Sequence, residues 1–222
     1  MPLRAVLFDL DGTVLDTAPD MVGALNALRG EHDLAPIPFE SVRACVSHGA
    51  GRVVRAGFAD AEAEQFAALQ RRFLEIYAAN LSHETQLFPG MEQVLHGLTE
   101  RRLACGIVTN KAAWLTEPLL AQLGLRGRFA CVVSGDTVSE RKPHPLPMLH
   151  AAKLVGFGPA ECIYVGDAER DVQAAHAAGM SALVAVYGYL QAQEDWRAWG
   201  ADDGLNQPVD LLPWLDRSGR LG

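Results

Sequence analysis

The sequence contains no Cys-x-x-Cys pair, no apolar run long enough to cross a bilayer and no excess of basic charge. Each absence excludes something. The four cysteines (Cys45, Cys105, Cys131, Cys162) are widely spaced and mostly lie in apolar runs, so reduced core thiols are expected rather than disulfides or zinc ligands. A formal net charge of -8 over 222 residues speaks against a general nucleic-acid binder, which needs a basic face. An anionic ligand must therefore be met by a local positive site. No apolar stretch approaches about 18 residues, and no charged-then-apolar leader opens the chain, so a cytoplasmic protein with no membrane partner is expected. With 49% hydrophobic and 21% charged residues, the composition is that of a globular protein, long enough for a large domain or a core carrying an insertion.

Five short runs rich in Val, Ile, Leu and Cys read as buried strands: "AVLF" near the start, "LACGIV" (103–108), "FACVV" (129–133), "CIYV" (162–165) and "ALVAV" (182–186). Helical patterns separate the last four, which predicts βαβ units and a parallel sheet covered on both faces. The long stretch between the first two strands is too long for one crossover and carries apolar residues at three- and four-residue spacing. The expected fold is therefore α/β: a Rossmann-like parallel-sheet core (1–16 and 87–222) with an inserted α-helical cap domain (17–86). The tail "YGYLQAQEDWRAWGADDGLNQP" reads as mostly irregular, with Trp196 and Trp199 as packing residues and a short closing helix after Pro208.

The first strand runs into "VLFDLDGTVLDT" (6–17). Period-two alternation puts Asp9 and Asp11 on one face, and two like charges so placed repel unless a cation, a proton or a substrate separates them. Further polar groups end other strands: Thr109 and Asn110, then Asp167 and Asp171, while "SERKPHP" offers Lys142. Open parallel sheets bind ligands outside the carboxyl ends of their strands. Carboxylates, one lysine and a hydroxyl–amide pair suit a divalent cation and a phosphate; Mg2+ prefers oxygen ligands at about 2.0–2.1 Å. Taken singly, each group has a plainer explanation: Thr109, Asn110 or Asp167 as a helix cap, Lys142 as a solvent lysine, Asp171 as a partner of Arg170. Their joint occurrence argues for chemistry. A calcium loop is excluded, because the glycine stands fourth in "DLDG" rather than sixth.

"DLDGT" (9–13), "VTN" (108–110), "RKP" (141–143) and "GDAERD" (166–171), in that order, resemble the four motifs of the haloacid dehalogenase-like phosphatases. The resemblance spans nearly the whole chain, including a helical cap inserted after the first motif. It implies Asp9 as nucleophile and Asp11 as general acid/base, with Thr109, Asn110 and Lys142 around the phosphate. It also implies Mg2+ held by Asp9, the backbone carbonyl of Asp11 and Asp167, with Asp171 in support. The chemistry is consistent with those roles: a carboxylate of pKa about 3.9 is ionised at neutral pH and can attack phosphorus, and a neighbouring anion raises the proton affinity of a second carboxyl.

Relatives in that family run several reactions. Phosphonate cleavage needs a Schiff-base lysine from the cap, and residues 17–86 contain no lysine. Hexose-phosphate mutases commonly use a cap lysine too, transport ATPases need membrane helices, and dehalogenases do not need an acid at the second position. Hydrolysis of a small phosphorylated metabolite remains. The alternative from another class is a noncatalytic metal- or phosphate-binding module, which would have no use for the Asp9–Asp11 pair. Substrate choice is expected in the cap loop "SHGAGRVVR" (47–55), from Ser47, His48 and Arg52, where a helix start also presents free amides. The chain looks most like the phosphoglycolate phosphatase-like branch. Its "YGYL…WGAD" tail is similar to the bacterial N-acetylmuramic acid 6-phosphate phosphatases. N-acetylmuramic acid 6-phosphate is therefore the expected substrate, with 2-phosphoglycolate as the alternative.

Overall fold

The computed structural model describes residues 1–191 and 193–221. Six strands form one parallel sheet, ordered β5 (Cys131–Val133), β4 (Ala104–Val108), β1 (Ala5–Phe8), β6 (Cys162–Gly166), β7 (Ser181–Ala185), β8 (Asp203–Leu205). β1 is central, with Phe8 in register with Ile107 of β4 and Val165 of β6. Three strands thus end level, and their next residues share one edge.

Alternation along β1 sorts its side chains between two layers. Val6 and Phe8 join a cluster with Leu95 of α5 (Met91–Glu100), Leu119 of α6 (Ala113–Gln122) and Leu215 of α9 (Leu211–Arg217). Ala5 and Leu7 join Met148 of α7 (Leu146–Val155) and Val172 of α8 (Glu169–Ala177). Both faces of the sheet are covered, so its central strands are continuously apolar. Each fully buried Leu or Phe contributes about 1.5–3 kcal/mol. All four cysteines are free, three of them buried, and no helix among the described residues is long and apolar enough to cross a membrane.

The tail differs from its sequence reading. Residues expected to be irregular supply the sixth strand, β8, which pairs with β7. It lacks an apolar run and is held by other means. Leu205 is buried, and the Ala182 amide donates to Asp202 Oδ2 at 2.7 Å. Trp196 lies against Gly204, where a Cβ would come within 2.5 Å of the indole.

Between β1 and β4 lies a helical insert: α1 (Ala18–Glu31), α2 (Phe39–Arg43), α3 (Ala50–Gly57) and α4 (Ala63–Ala79). The chain enters and leaves it through a two-stranded antiparallel ribbon, β2 (Leu15–Asp16) with β3 (Gln86–Leu87). Leu69, Phe73 and Tyr77 recur every fourth residue of α4 and are all buried, in one cluster with Leu25 and Leu28 of α1 and Val53 of α3.

Candidate active site

Asp9 continues the β1 ladder, its amide donating to the Val165 carbonyl at 2.9 Å, and the chain then turns sharply. Gly12 makes that turn possible. Its φ is +81°, and a Cβ there would stand 2.1 Å from Asp167 Oδ2. Only glycine serves both the backbone and the close approach. Above the strand ends opens a cavity of about 470 Å³, within the ordinary range for small-molecule sites. Asp9, Asp11, Thr109 and Arg170 line it from the core; Ser47, His48 and Tyr77 line it from the insert.

At its base, Asp9, Asp167 and Asp171 offer carboxylate oxygens within 4.8 Å of one another, all buried. Lys142, with a fully buried side chain, sits among them: its Nζ is 3.0 Å from Asp9 Oδ1 and 2.7 Å from Asp171 Oδ1, the latter an ion-pair distance without hydrogen-bond alignment. That ammonium also donates to Tyr164 Oη at 2.8 Å. Asp167 Oδ2 accepts from Ser47 Oγ at 2.5 Å and from the Tyr189 amide at 3.0 Å. Burial, then the charges of Asp9 and Asp171, push its carboxyl up to about 7. Burial also raises Asp9, with Lys142 opposing.

This site fits a divalent cation. The donor set is compact and made of oxygen, as hard cations prefer. Asp167 Oδ1 is buried with no partner among the described residues, an arrangement that costs about 1–3 kcal/mol unless something fills it.

Of the other expected residues, Asp11, Asn110, Ser47 and His48 line the cavity with Asp9, and Arg52 does not. The Asp11 carboxylate stands outside the cluster; it accepts from Thr17 Oγ1 at 2.7 Å and pairs with Lys111 Nζ at 3.0 Å. Asn110, expected at the phosphate, engages both ends of its amide with the Lys142 backbone, each at 3.0 Å. It positions Lys142. Ser47, expected to meet substrate, lines the cavity and directs its hydroxyl at Asp167. His48 does line the cavity, its imidazole pKa lowered by burial and by Arg170. Arg52 does not: it faces a separate shallow cleft with Glu40 and Arg43, because Val53 and Val54 take the inward positions of α3. Asp171 does not pair with Arg170; the Arg170 guanidinium donates to the Ser47 carbonyl.

Three participants were not anticipated from the sequence: Lys111, Tyr77 and Arg170. Lys111 directly follows "VTN" and is one of only three lysines in the chain, which is a signal that could have found it. Tyr77 gave none, since its spacing on α4 is that of a core residue. Its hydroxyl accepts from Lys111 Nζ at 2.9 Å.

The family profile of the haloacid dehalogenase-like hydrolases matches residues 6–185. The chain belongs to that family. Among its relatives, a phosphoglycolate phosphatase of Xanthomonas campestris pv. campestris (strain 8004) is 45% identical over 208 residues, 94% of each chain. An N-acetylmuramic acid 6-phosphate phosphatase of Pseudomonas putida KT2440 is 38% identical over 97% of each chain. A crystal structure of a predicted phosphoglycolate phosphatase from Haemophilus somnus 129PT superposes with a TM-score of 0.85 at 25% identity, covering 96% of this chain and 97% of that one. This haloacid dehalogenase-like hydrolase is a phosphatase acting on a small phosphorylated metabolite. The noncatalytic alternative is set aside.

Proposed function

We propose that this phosphatase hydrolyses 2-phosphoglycolate, with Asp9 as nucleophile and Asp11 as general acid and base. The observation that carries the substrate is the 45% identity, over 94% of both chains, to the Xanthomonas phosphoglycolate phosphatase. It favours this compound over the amino-sugar phosphate expected from the tail. N-acetylmuramic acid 6-phosphate remains the second reading, supported by the Pseudomonas putida relative that matches 97% of each chain.

Both partners of the Asp9 carboxylate, the Leu10 amide and Lys142, use Oδ1, which leaves Oδ2 for attack on phosphorus. The bond to the ester oxygen breaks as Asp11 gives that oxygen a proton, leaving an aspartyl-phosphate. Asp11 then takes a proton from water, which attacks the phosphorus and regenerates Asp9. Lys111 and Thr17 hold Asp11 in place for both steps. Thr109 Oγ1 accepts from the Lys111 amide and retains its own proton to donate to a phosphoryl oxygen. The insert, taken as residues 17–86, lines the cavity with Ser47, His48 and Tyr77. Mg2+, held by Asp9, the Asp11 carbonyl and Asp167 with Asp171 behind them, would supply the positive charge that offsets one anion attacking another.

The test is kcat/KM for both compounds at the same Mg2+ concentration. Phosphoglycolate should be favoured by at least about tenfold, and the reverse preference would return the amino-sugar reading. Asp9→Asn should lower phosphate release by roughly a thousandfold or more with thermal unfolding nearly unchanged. Activity within about tenfold of the native enzyme, in a folded variant, removes Asp9 from the role.

A further inference from the structure

Phosphoglycolate differs from a simple alkyl phosphate by a carboxylate next to the ester carbon. On the phosphoglycolate reading, a residue that recognises it must lie beside Asp9, carry positive charge, and not be occupied by a protein carboxylate. The cavity offers few candidates. Lys142 is paired with Asp9 and Asp171. Lys111 is taken by Asp11 and Tyr77. Arg52 lies outside the cavity. Arg141 lines it but is exposed, with its Nε on the Gly135 carbonyl.

Arg170 meets all three conditions. It occupies the first turn of α8, lines the cavity and is only partly exposed. It lines the cavity together with Asp9 and donates to the Ser47 carbonyl, so it reaches from the core to the insert loop. No carboxylate lies within ion-pair distance of it among the described residues, and its one hydrogen bond goes to the Ser47 carbonyl. A guanidinium has five N–H donors in a planar fork suited to a carboxylate. The charges of Asp171, Asp9 and Asp167 nearby offset the burial of this cation, and most of its donors remain free for a ligand.

We propose that Arg170 receives the substrate carboxylate, with Ser47 holding the guanidinium in position. This assignment rests on the phosphoglycolate reading above. It moves carboxylate recognition from the insert, where Arg52 was expected, to the core motif that also carries Asp167 and Asp171.

Ethyl phosphate, which replaces the carboxylate with a methyl group, is the control substrate. Arg170→Met should lower kcat/KM for phosphoglycolate by about 30-fold or more, chiefly through KM, and that loss should exceed the loss on ethyl phosphate by at least about tenfold. Arg170→Lys keeps the charge without the fork and should show an intermediate preference; it decides the matter if the Met variant does not fold. Equal losses on both substrates would overturn the proposal and assign Arg170 to holding the Ser47 loop. A selective loss in Arg141→Met instead would move the role to Arg141. If the unaltered enzyme does not prefer phosphoglycolate to ethyl phosphate, the substrate reading itself fails, and the Arg170 assignment with it.

Discussion

Three buried carboxylates share one ammonium at the base of the cavity, and that imbalance governs how each residue there behaves. Lys142 is within ion-pair distance of two of them, but Asp167 is held by neutral donors only, Ser47 and the Tyr189 amide. Its carboxyl therefore responds mainly to burial and to its two anionic neighbours, and rises from the usual 3.8 to about 7. Between those values, the folded protein without cation holds a proton that the unfolded chain has released. The stability that this proton represents is fully present below about 4 and is lost as pH rises through 7. The Tm of the metal-free protein should fall over that interval, and Asp167→Asn should flatten the fall. Added divalent cation should restore stability at the upper end, because it binds the ionised form. Thermal scans between pH 5 and 8, with chelator and with Mg2+, provide the check. A Tm that rises with pH in the chelated protein, and does so equally in Asp167→Asn, would contradict this account.

At the scale of elements, the turn after β1 is the most constrained piece. A methyl at position 12 would meet Asp167 Oδ2 and Asp167 Cγ as well as the Tyr189 ring. Gly12→Ala also carries a strained positive φ, so the turn or Asp167 must move. We expect a loss of about 1–3 kcal/mol in stability and a fall in kcat of roughly a hundredfold, since a displacement near 1 Å is that expensive to catalysis. Chemical denaturation and steady-state rates would measure both; a near-native kcat would show that the turn yields without disturbing Asp167. The turn was not legible in the sequence: strand alternation was expected to carry Asp11 onto the face of Asp9, but β1 ends at Phe8 and the chain turns through Gly12, which leaves the Asp11 carboxylate outside the acid cluster. The parallel core was legible because burial on both faces leaves uninterrupted apolar runs. β8 was not, since a three-residue edge strand with one buried side chain leaves no such pattern. Nor was the ribbon β2–β3, with two residues per strand. Arg52 was misplaced for a related reason. Its charge and its proximity to a glycine loop suggested a ligand, but the phase of α3 is set by Val53 and Val54, and they turn it away.

At the scale of the molecule, the insert touches the core through residues in and around the acid cluster. The Ser47 hydroxyl rests on Asp167, its carbonyl holds Arg170, and Tyr77 receives Lys111, which in turn holds Asp11. Arg43 adds a bond to the Gly188 carbonyl at 3.0 Å, with its guanidinium over the Tyr189 ring. The position of the insert is therefore coupled to the orientation of the acids below it. Ser47 gives the sharpest test, because it supplies one of the two donors that fix Asp167 Oδ2 and thereby orient the unpartnered Oδ1. Ser47→Ala leaves the Tyr189 amide alone in that task. Loss of such an outer partner typically weakens metal binding by about 10–100-fold, and a value near the lower end is expected here because one donor remains. Coupling is reciprocal, so a cation that binds better when Ser47 is docked must also favour the docked insert. Mn2+ titration of the apo protein would give the affinity, and limited proteolysis of the α1–α4 segment would report docking. Cation should slow cleavage in the native protein and do so less in Ser47→Ala. An unchanged Mn2+ affinity, with equal protection of both proteins, would reduce Ser47 to a packing contact and leave the insert and the acid cluster independent.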